Sequence, residues 1–208
     1  MTKKILIIGS TGKLGKLLLN YCKKNNISIE AIASYKNYKL QIKQQKALNI
    51  KHGFCMSKNE EKLKFKKFVK SHKFKIVYFL DYGALSLNYL NIIINNNSNT
   101  QLCIANKEMI IAGGKLLIDK INKSGNKLVP LDSEHFSMVN SNINNNEIDK
   151  VYITASGGPF YFKKKIDMNK VSLKQVLKHP KWDMGKNNSI DSSNFINKIL
   201  EILELSII

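Results

Sequence analysis

The sequence predicts an α/β protein: a doubly wound parallel sheet, followed by an incomplete α+β part. Three observations carry this. Lys4 to Ile8 is a continuous apolar, β-branched run of the kind buried on both faces of a parallel sheet. It breaks at Gly9-Ser10-Thr11-Gly12, and Leu14, Leu17, Leu18 and Tyr21 then recur at helical spacing. Strand-like and helix-like stretches go on alternating, as they must where parallel strands are joined by helical crossovers.

A second strand is expected around Ile27 to Ala33, and buried strands at Ile76 to Leu80 and Gln101 to Ala105, with a helical stretch from Leu85 to Ile94 between them. From Tyr35 to Lys75 the chain is lysine-rich and shows no clear period. Past Gly125 the texture changes. Lys127 to Leu131 and Val151 to Ala155 are strand candidates, the latter followed by Gly157-Gly158-Pro159. A helix is expected from Ser193, with Asp191 and Ser192 as its caps and Phe195, Ile196, Ile199 and Leu203 as its buried side. These shifts divide the chain into residues 1–125 and 126–208. The second part is read as unfinished, because its last helix reaches Ile208 without a cap.

The 208 residues hold 34 Lys and Arg against 15 Asp and Glu, a net charge of +19. Such a balance invites a nucleic-acid partner. Here the lysines are scattered instead of forming a stripe, and asparagines are abundant beside them, as in Asn95-Asn96-Asn97. That pattern reads as compositional bias, so no nucleic acid is expected, and a positive field also suits a phosphate-bearing ligand. Cys22, Cys55 and Cys103 are odd in number and lack metal-like spacing, which predicts free thiols in a reducing, cytoplasmic setting. Ile5 to Ile8 is far too short to span a membrane, and no targeting segment is expected before the first strand.

Gly9-Ser-Thr-Gly12-Lys-Leu-Gly15 stands where a phosphate-binding turn should, between strand and helix. Its glycines admit a close pyrophosphate, and the helix start offers unpaired N–H groups. Ser34-Tyr35-Lys36-Asn37, after the second strand, lacks the acid that holds a ribose 2′-OH. Lys36 there either neutralises a 2′-phosphate or is a solvated loop lysine. Ala105-Asn106-Lys107-Glu108 follows a strand at its carboxyl end, as a ligand contact or only as a helix cap. Asp132-Ser133-Glu134 carries two carboxylates that would project to one side of an extended backbone, an oxygen pair suited to Mg²⁺ or Mn²⁺, or else a solvated acidic turn. His135 reads as a supporting or structural residue. Thr154-Ala-Ser156-Gly157-Gly158-Pro159 presents Ser156 to a phosphate, or is a tight turn. Asn197, Lys198 and Glu201 share one helix face, though a surface Glu–Lys pair would look the same.

In order and spacing these segments resemble one family, the 1-deoxy-D-xylulose 5-phosphate reductoisomerases. That family carries a GSTGSIG-like turn, then ANKES-like, DSEH, SGGPF, HPxWxMG and SxDSxxxxNKxLE segments. The corresponding stretches here are Gly9–Gly15, Ala105–Glu108, Asp132–His135, Ser156–Phe160, His179–Gly185 and Ser189–Glu201. Departures are Lys13 for Ser, Tyr35 for Gly, Leu80-Asp81 where a GAAG-like segment is usual, Phe136 for Asn, Tyr161 for Arg and Ile199 for Gly.

The resemblance implies a Rossmann-type NADPH domain over residues 1–125 and part of a catalytic domain over 126–208. It implies Thr11, Gly12, Lys13 and Leu14 at the NADPH phosphates, with Tyr35, Lys36, Asn37, Asn106, Glu108 and Gly185 also on the cofactor. Asp132, Glu134 and Glu201 would hold Mg²⁺ or Mn²⁺. Lys107, Ser133, Glu134, Ser156, His179, Ser192, Asn197, Lys198 and Glu201 would contact a phosphosugar, with Lys107, Glu134, His179 and Lys198 catalytic and Trp182 and Met184 in a closing flap. The implied reaction converts 1-deoxy-D-xylulose 5-phosphate to 2-C-methyl-D-erythritol 4-phosphate in the non-mevalonate isoprenoid pathway, in a homodimer. Family members continue for a comparable stretch. The expectation is therefore either a fragment completed by a separate C-terminal half, or a shortened NADPH-binding remnant without activity.

Overall fold

A computed structural model describes residues 4–139, 141, 148–155, 157–163, 165–178 and 186–208. Its first strand, β1 (Ile5–Ile8), is buried on both faces, as an unbroken apolar run requires. Five more strands lie parallel to it: β2 (Ala31–Ser34), β3 (His52–Cys55), β4 (Ile76–Phe79), β5 (Gln101–Ile104) and β6 (Lys127–Pro130). They form one sheet in the order β3-β2-β1-β4-β5-β6. This order starts at the middle and winds outward both ways, which places the switch point between β1 and β4. The sheet runs on through residue 125, since β6 pairs with β5.

Strand pleating divides the apolar residues between two cores. Leu6, Ile8, Ala33, Val77, Phe79, Leu102 and Ile104 face one way, onto α3 (Asn59–Ser71), α4 (Leu87–Asn96) and α5 (Lys107–Lys123). Ile5, Ile7 and Ile32 face the other way, with Leu19 and Cys22 of α1 (Lys13–Lys24) and Leu48 of α2 (Tyr38–Leu48). Beyond the sheet come α6 (Ser133–Val139), α7 (Leu173–Val176), α8 (Lys186–Ser192) and α9 (Ile196–Ile207). Among the described residues no helix is long and apolar enough to cross a membrane.

Several elements differ from expectation. The second strand starts at Ala31, not Ile27, because Ile27 closes the helix-to-strand turn by donating to the Cys22 carbonyl. On α1 the residues facing the core are Gly15, Leu19 and Cys22, while Leu14, Leu17 and Tyr21 are exposed. The lysine-rich middle contains α2, β3 and α3. Its strand, His-Gly-Phe-Cys, escapes a propensity reading because sheet pairing and not composition makes it extended. Val151 to Ala155 is not a strand. Asparagines also do more than fill out composition. Buried Asn97 accepts from the Phe74 amide at 2.8 Å, and buried Asn126 accepts from the Thr100 amide at 2.9 Å, closing the turns below β4 and β5.

The glycine turn is fixed by packing. Gly9 has φ +91°, and a Cβ there would lie 2.5 Å from the Leu80 carbonyl carbon. A Cβ on Gly15 would lie 2.3 Å from the Gly9 carbonyl oxygen, so α1 crosses the turn at backbone distance. In an open helix Gly→Ala would gain up to about 1 kcal/mol. Here the sign should reverse: Gly15→Ala is expected to lower stability by about 1 to 3 kcal/mol through overpacking. Urea denaturation of the two proteins measures it, and an equal or higher midpoint for the variant would contradict the close crossing.

Candidate functional site

The expected site residues that the structure brings together lie at the carboxyl ends of β5 and β6 and on one side of α9. Asn106 caps α5, its Oδ1 accepting from the Met109 amide at 3.1 Å while its Nδ2 donates to the Gly83 carbonyl at 2.7 Å. Lys107 follows and is buried. Its Nζ lies 2.8 Å from Asp132 Oδ2 and 3.3 Å from Glu201 Oε1, and donates to Asn197 Oδ1 at 2.9 Å. Asp132 and Glu134 do not sit on extended backbone. The chain turns into α6 at Ser133, and the Glu134 amide donates to Asp132 Oδ1 at 3.4 Å. Both carboxylates still reach the same space, now from the first turn of a helix.

The last helix is inverted relative to its apolar pattern. Phe195 interrupts the chain with φ +66°, so α8 and α9 are separate and neither Asp191 nor Ser192 caps α9. The side that turns inward is the polar one. Glu201 and Glu204 are 2% and 0% exposed, whereas Ile199 is 54% exposed and Phe195, Ile196 and Leu203 also face solvent. Lys198 Nζ lies 2.5 Å from Glu134 Oε1 and 2.7 Å from Glu201 Oε2. Asn197 donates its amide to Glu201 Oε1, and Ser133 its hydroxyl to Glu134 Oε2 at 2.5 Å.

Glu201 is thus the centre of the cluster, with Lys107 at one carboxylate oxygen and Lys198 at the other. One oxygen each from Asp132, Glu134 and Glu201 lies within 4.8 Å of the others. Such an all-oxygen set fits a hard divalent ion. Burial works against the charge on Lys107 and Lys198, but the facing carboxylates outweigh it and hold both ammoniums above their ordinary pKa. Burial also opposes the Glu134 charge, yet hydrogen bonds from Asp132, Lys198 and Ser133 pull its pKa down to about 2. Asp132 moves up, through burial and then its hydrogen bond with Glu134.

Two buried groups had not been singled out as functional. Glu204 Oε2 lies 2.9 Å from His135 Nδ1, and His135 Nε2 lies 2.8 Å from the Glu201 carbonyl oxygen. The carbonyl only accepts, so Nε2 carries a proton, while Nδ1 faces the Glu204 carboxylate at ion-pair distance. Burial lowers the His135 pKa, but the Glu204 carboxylate overrides it and the net shift is upward. The signal was present in the sequence as Glu-x-x-Glu in a chain poor in acids. Asp81 is the second. Its carboxyl accepts from the Ser86 hydroxyl beside the glycine turn, and burial raises its pKa.

On the cofactor side, Thr11, Gly12, Lys13 and Leu14 follow β1, Tyr35, Lys36 and Asn37 follow β2, and Asn106 and Glu108 follow β5, all at the carboxyl edge of the sheet. Asn37 caps α2, accepting from the Leu40 amide at 3.2 Å, and Lys36 Nζ lies over the Tyr35 ring, 5.4 Å from its centroid. Ser192 ends α8, and Gly158 packs on it so closely that a Cβ would lie 2.5 Å from the Ser192 carbonyl oxygen. Ser156, His179, Trp182, Met184 and Gly185 lie outside the described residues.

Fold and site together define a parallel α/β protein with a lysine-compensated carboxylate cluster at the carboxyl edge of its sheet. Known proteins make the class more definite. A family model described as the 1-deoxy-D-xylulose 5-phosphate reductoisomerase C-terminal domain matches residues 128–208. The reductoisomerase of Pelagibacter ubique is 38% identical, over 97% of this chain and 57% of its own length, and that of Malacoplasma penetrans 34% identical, over 97% and 54%. A solved reductoisomerase in complex with NADPH, fosmidomycin and magnesium superposes with a TM-score of 0.81 at 24% identity, over 97% of this chain and 57% of that one. One from Zymomonas mobilis in complex with NADPH gives 0.77 at 24%, over 98% and 57%. The chain is thus similar to 1-deoxy-D-xylulose 5-phosphate reductoisomerases along 97% of its own length, and its residues 128–208 match that family's C-terminal domain. It spans little more than half the length of the curated relatives it matches.

Two outcomes follow from the electrostatics. Removing Lys107 leaves Asp132 and Glu201 buried beside each other, so Lys107→Met should cost about 3 to 5 kcal/mol. Millimolar Mg²⁺ should restore part of that loss and stabilise the variant more than the parent, as read by urea denaturation with and without the ion. A variant as stable as the parent and indifferent to Mg²⁺ would refute the compensation. Asp81 has a folded pKa above its ordinary 3.8. The native state therefore holds that proton more tightly than the unfolded chain, and stability falls as pH rises through the folded value. Asp81→Asn should gain on the parent as pH rises above roughly 4, the ordinary aspartate value; a pH-independent difference would show that Asp81 ionises freely.

Proposed function

We propose that the chain is the NADPH-binding part and the metal-binding, substrate-binding part of a reductoisomerase that converts 1-deoxy-D-xylulose 5-phosphate to 2-C-methyl-D-erythritol 4-phosphate. The observation that carries this reading is the convergence of Asp132, Glu134 and Glu201 with Lys107, Lys198 and Asn197, from three separate elements, into one buried cluster. Residues 1–125 would be a Rossmann-type dinucleotide domain, supported by the strand order and by the glycine turn after β1. Residues 126–208 would be the catalytic part, supported by the family match from residue 128.

The donor set suits the implied ligands. Three carboxylates offer oxygen only, as Mg²⁺ or Mn²⁺ prefers, and the exposed Gly12 leaves room for a phosphate at the start of α1. When bound, the metal ion would polarise substrate oxygens and NADPH would supply a hydride. The residues of this chain would hold and orient. Lys107 and Lys198, kept charged by their partners, would face the negative charge that develops on a phosphosugar ketone. Asn197 and Ser133 would donate hydrogen bonds to its hydroxyls. Lys36, exposed beside Asn37, would meet the 2′-phosphate that distinguishes NADPH.

A reducing cytoplasmic setting belongs to the same reading, since Cys22, Cys55 and Cys103 are all buried free thiols. A homodimer also belongs to it, favoured by the apolar residues that α9 leaves exposed. A second reading, NADPH binding without chemistry, rests on the cofactor-side residues that follow β1, β2 and β5, which all lie within residues 1–125.

The assay is oxidation of NADPH with 1-deoxy-D-xylulose 5-phosphate and Mg²⁺, on this chain alone and with any separately encoded remainder. Turnover that falls by at least about 100-fold in Glu201→Gln, with NADPH affinity retained, is the expected result. NADPH binding with no turnover in either mixture would favour the second reading, and no NADPH binding would remove both.

A further inference from the structure

At the opposite, amino edge of the sheet, Glu30, His52 and His72 converge. One ligand atom from each lies within 4.8 Å of the other two. Glu30 directly precedes β2, and its amide donates to the Ile5 carbonyl at 3.0 Å. His52 opens β3, in register beside Ala31. His72 follows the last turn of α3. Three stretches far apart in sequence therefore meet at one edge strand.

Phe68 of α3 arranges the two imidazoles. Its ring stacks on His72 at 3.9 Å between centroids and tilts against His52 at 4.8 Å, while the two imidazoles meet edge-on at 5.8 Å. The Phe68 carbonyl oxygen lies 2.9 Å from His72 Nδ1. The Ser71 hydroxyl oxygen lies 3.0 Å from the same nitrogen, and a carbonyl only accepts, so the tautomer that suits both contacts has its proton on Nδ1 and leaves Nε2 for an ion. Histidine ligands are set in this way, with one nitrogen donating to a carbonyl and the other left for the ion. His52 Nε2 lies 3.9 Å from Glu30 Oε1, too far for a hydrogen bond. It is near the roughly 3.4 Å that separates ligands in a tetrahedron with ~2.1 Å bonds. All three residues are partly exposed, which leaves a path for entry and a position for water.

We propose that Glu30, His52 and His72 bind Zn²⁺, or a similar divalent transition-metal ion, as a staple that ties β3 and the end of α3 to β2. Two imidazole nitrogens and one carboxylate favour zinc over Mg²⁺, which takes oxygen, so this site and the carboxylate cluster select different ions. The staple would act at one edge of the sheet, because among the described residues β3 pairs only with β2. Lys51, next to His52, works against a cation and keeps the affinity moderate.

The test is calorimetric titration of the full chain with zinc chloride, with Mg²⁺ in excess to occupy the carboxylate cluster. The parent should bind one zinc equivalent with Kd below about 10 μM that His52→Gln and His72→Gln both lack, and zinc should raise the melting temperature of the parent only. Unchanged zinc stoichiometry and unchanged thermal response in both variants would overturn the proposal. Should either variant fail to fold, anomalous scattering at the zinc edge from parent crystals soaked in zinc decides instead. A peak between the three side chains supports the staple, and no peak there rejects it.

Discussion

The rest of the site depends on one constraint: the Glu201 carboxylate is out of water and must be neutralised by what surrounds it. A buried carboxylate without partners would be far too costly to keep ionised. Lys107 and Lys198 meet that requirement from opposite sides, and each in turn reaches a second carboxylate, Asp132 or Glu134. This chain of charges joins the start of α5, the start of α6 and one side of α9. It also explains why α9 turns its polar side inward. Burying Ile199 in place of Glu201 would gain roughly 2 kcal/mol of apolar transfer. It would leave two lysines and two carboxylates at the end of the sheet without their common partner.

That inversion is also where sequence reasoning fails most instructively. A period of apolar residues says which side of a helix prefers to be buried, on the assumption that apolar burial dominates. On α9 it does not, and Phe195, Ile196, Ile199 and Leu203 face solvent. On α1 as well, Leu14, Leu17 and Tyr21 are exposed, and Gly15 meets the backbone of the glycine turn. Where apolar burial does dominate, as in β1, β4 and β5, strands were legible to within a residue or two. The β3 strand was not, since His-Gly-Phe-Cys becomes extended through its pairing with β2. Of the site, the shared side of Asn197, Lys198 and Glu201 was readable from spacing alone. The pairing of His135 with Glu204 was not, because it needs a contact across 69 residues that no local pattern encodes.

The glycine turn shows how one local sequence serves two demands. Gly9 and Gly15 are required by close backbone approach, to Leu80 and to Gly9 itself, whether or not a ligand is present. Gly12 is different: it is exposed, and a Cβ there would sit at 3.3 Å from the nearest atom. Two glycines of the motif are thus fixed by backbone contact, while the third is exposed and would press only on the Gly9 carbonyl oxygen. Lys13 beside it adds a positive charge at a helix start whose dipole already favours an anion.

The lysines of the carboxylate cluster occupy a position with a further consequence. An ammonium among carboxylates supplies the same charge complement as a cation, at lower valence and on a flexible stem. Lys107 and Lys198 therefore hold Asp132, Glu134 and Glu201 together through charge alone. Arginine would serve less well, because its planar fork would fix one carboxylate in bidentate geometry and leave the second without a partner.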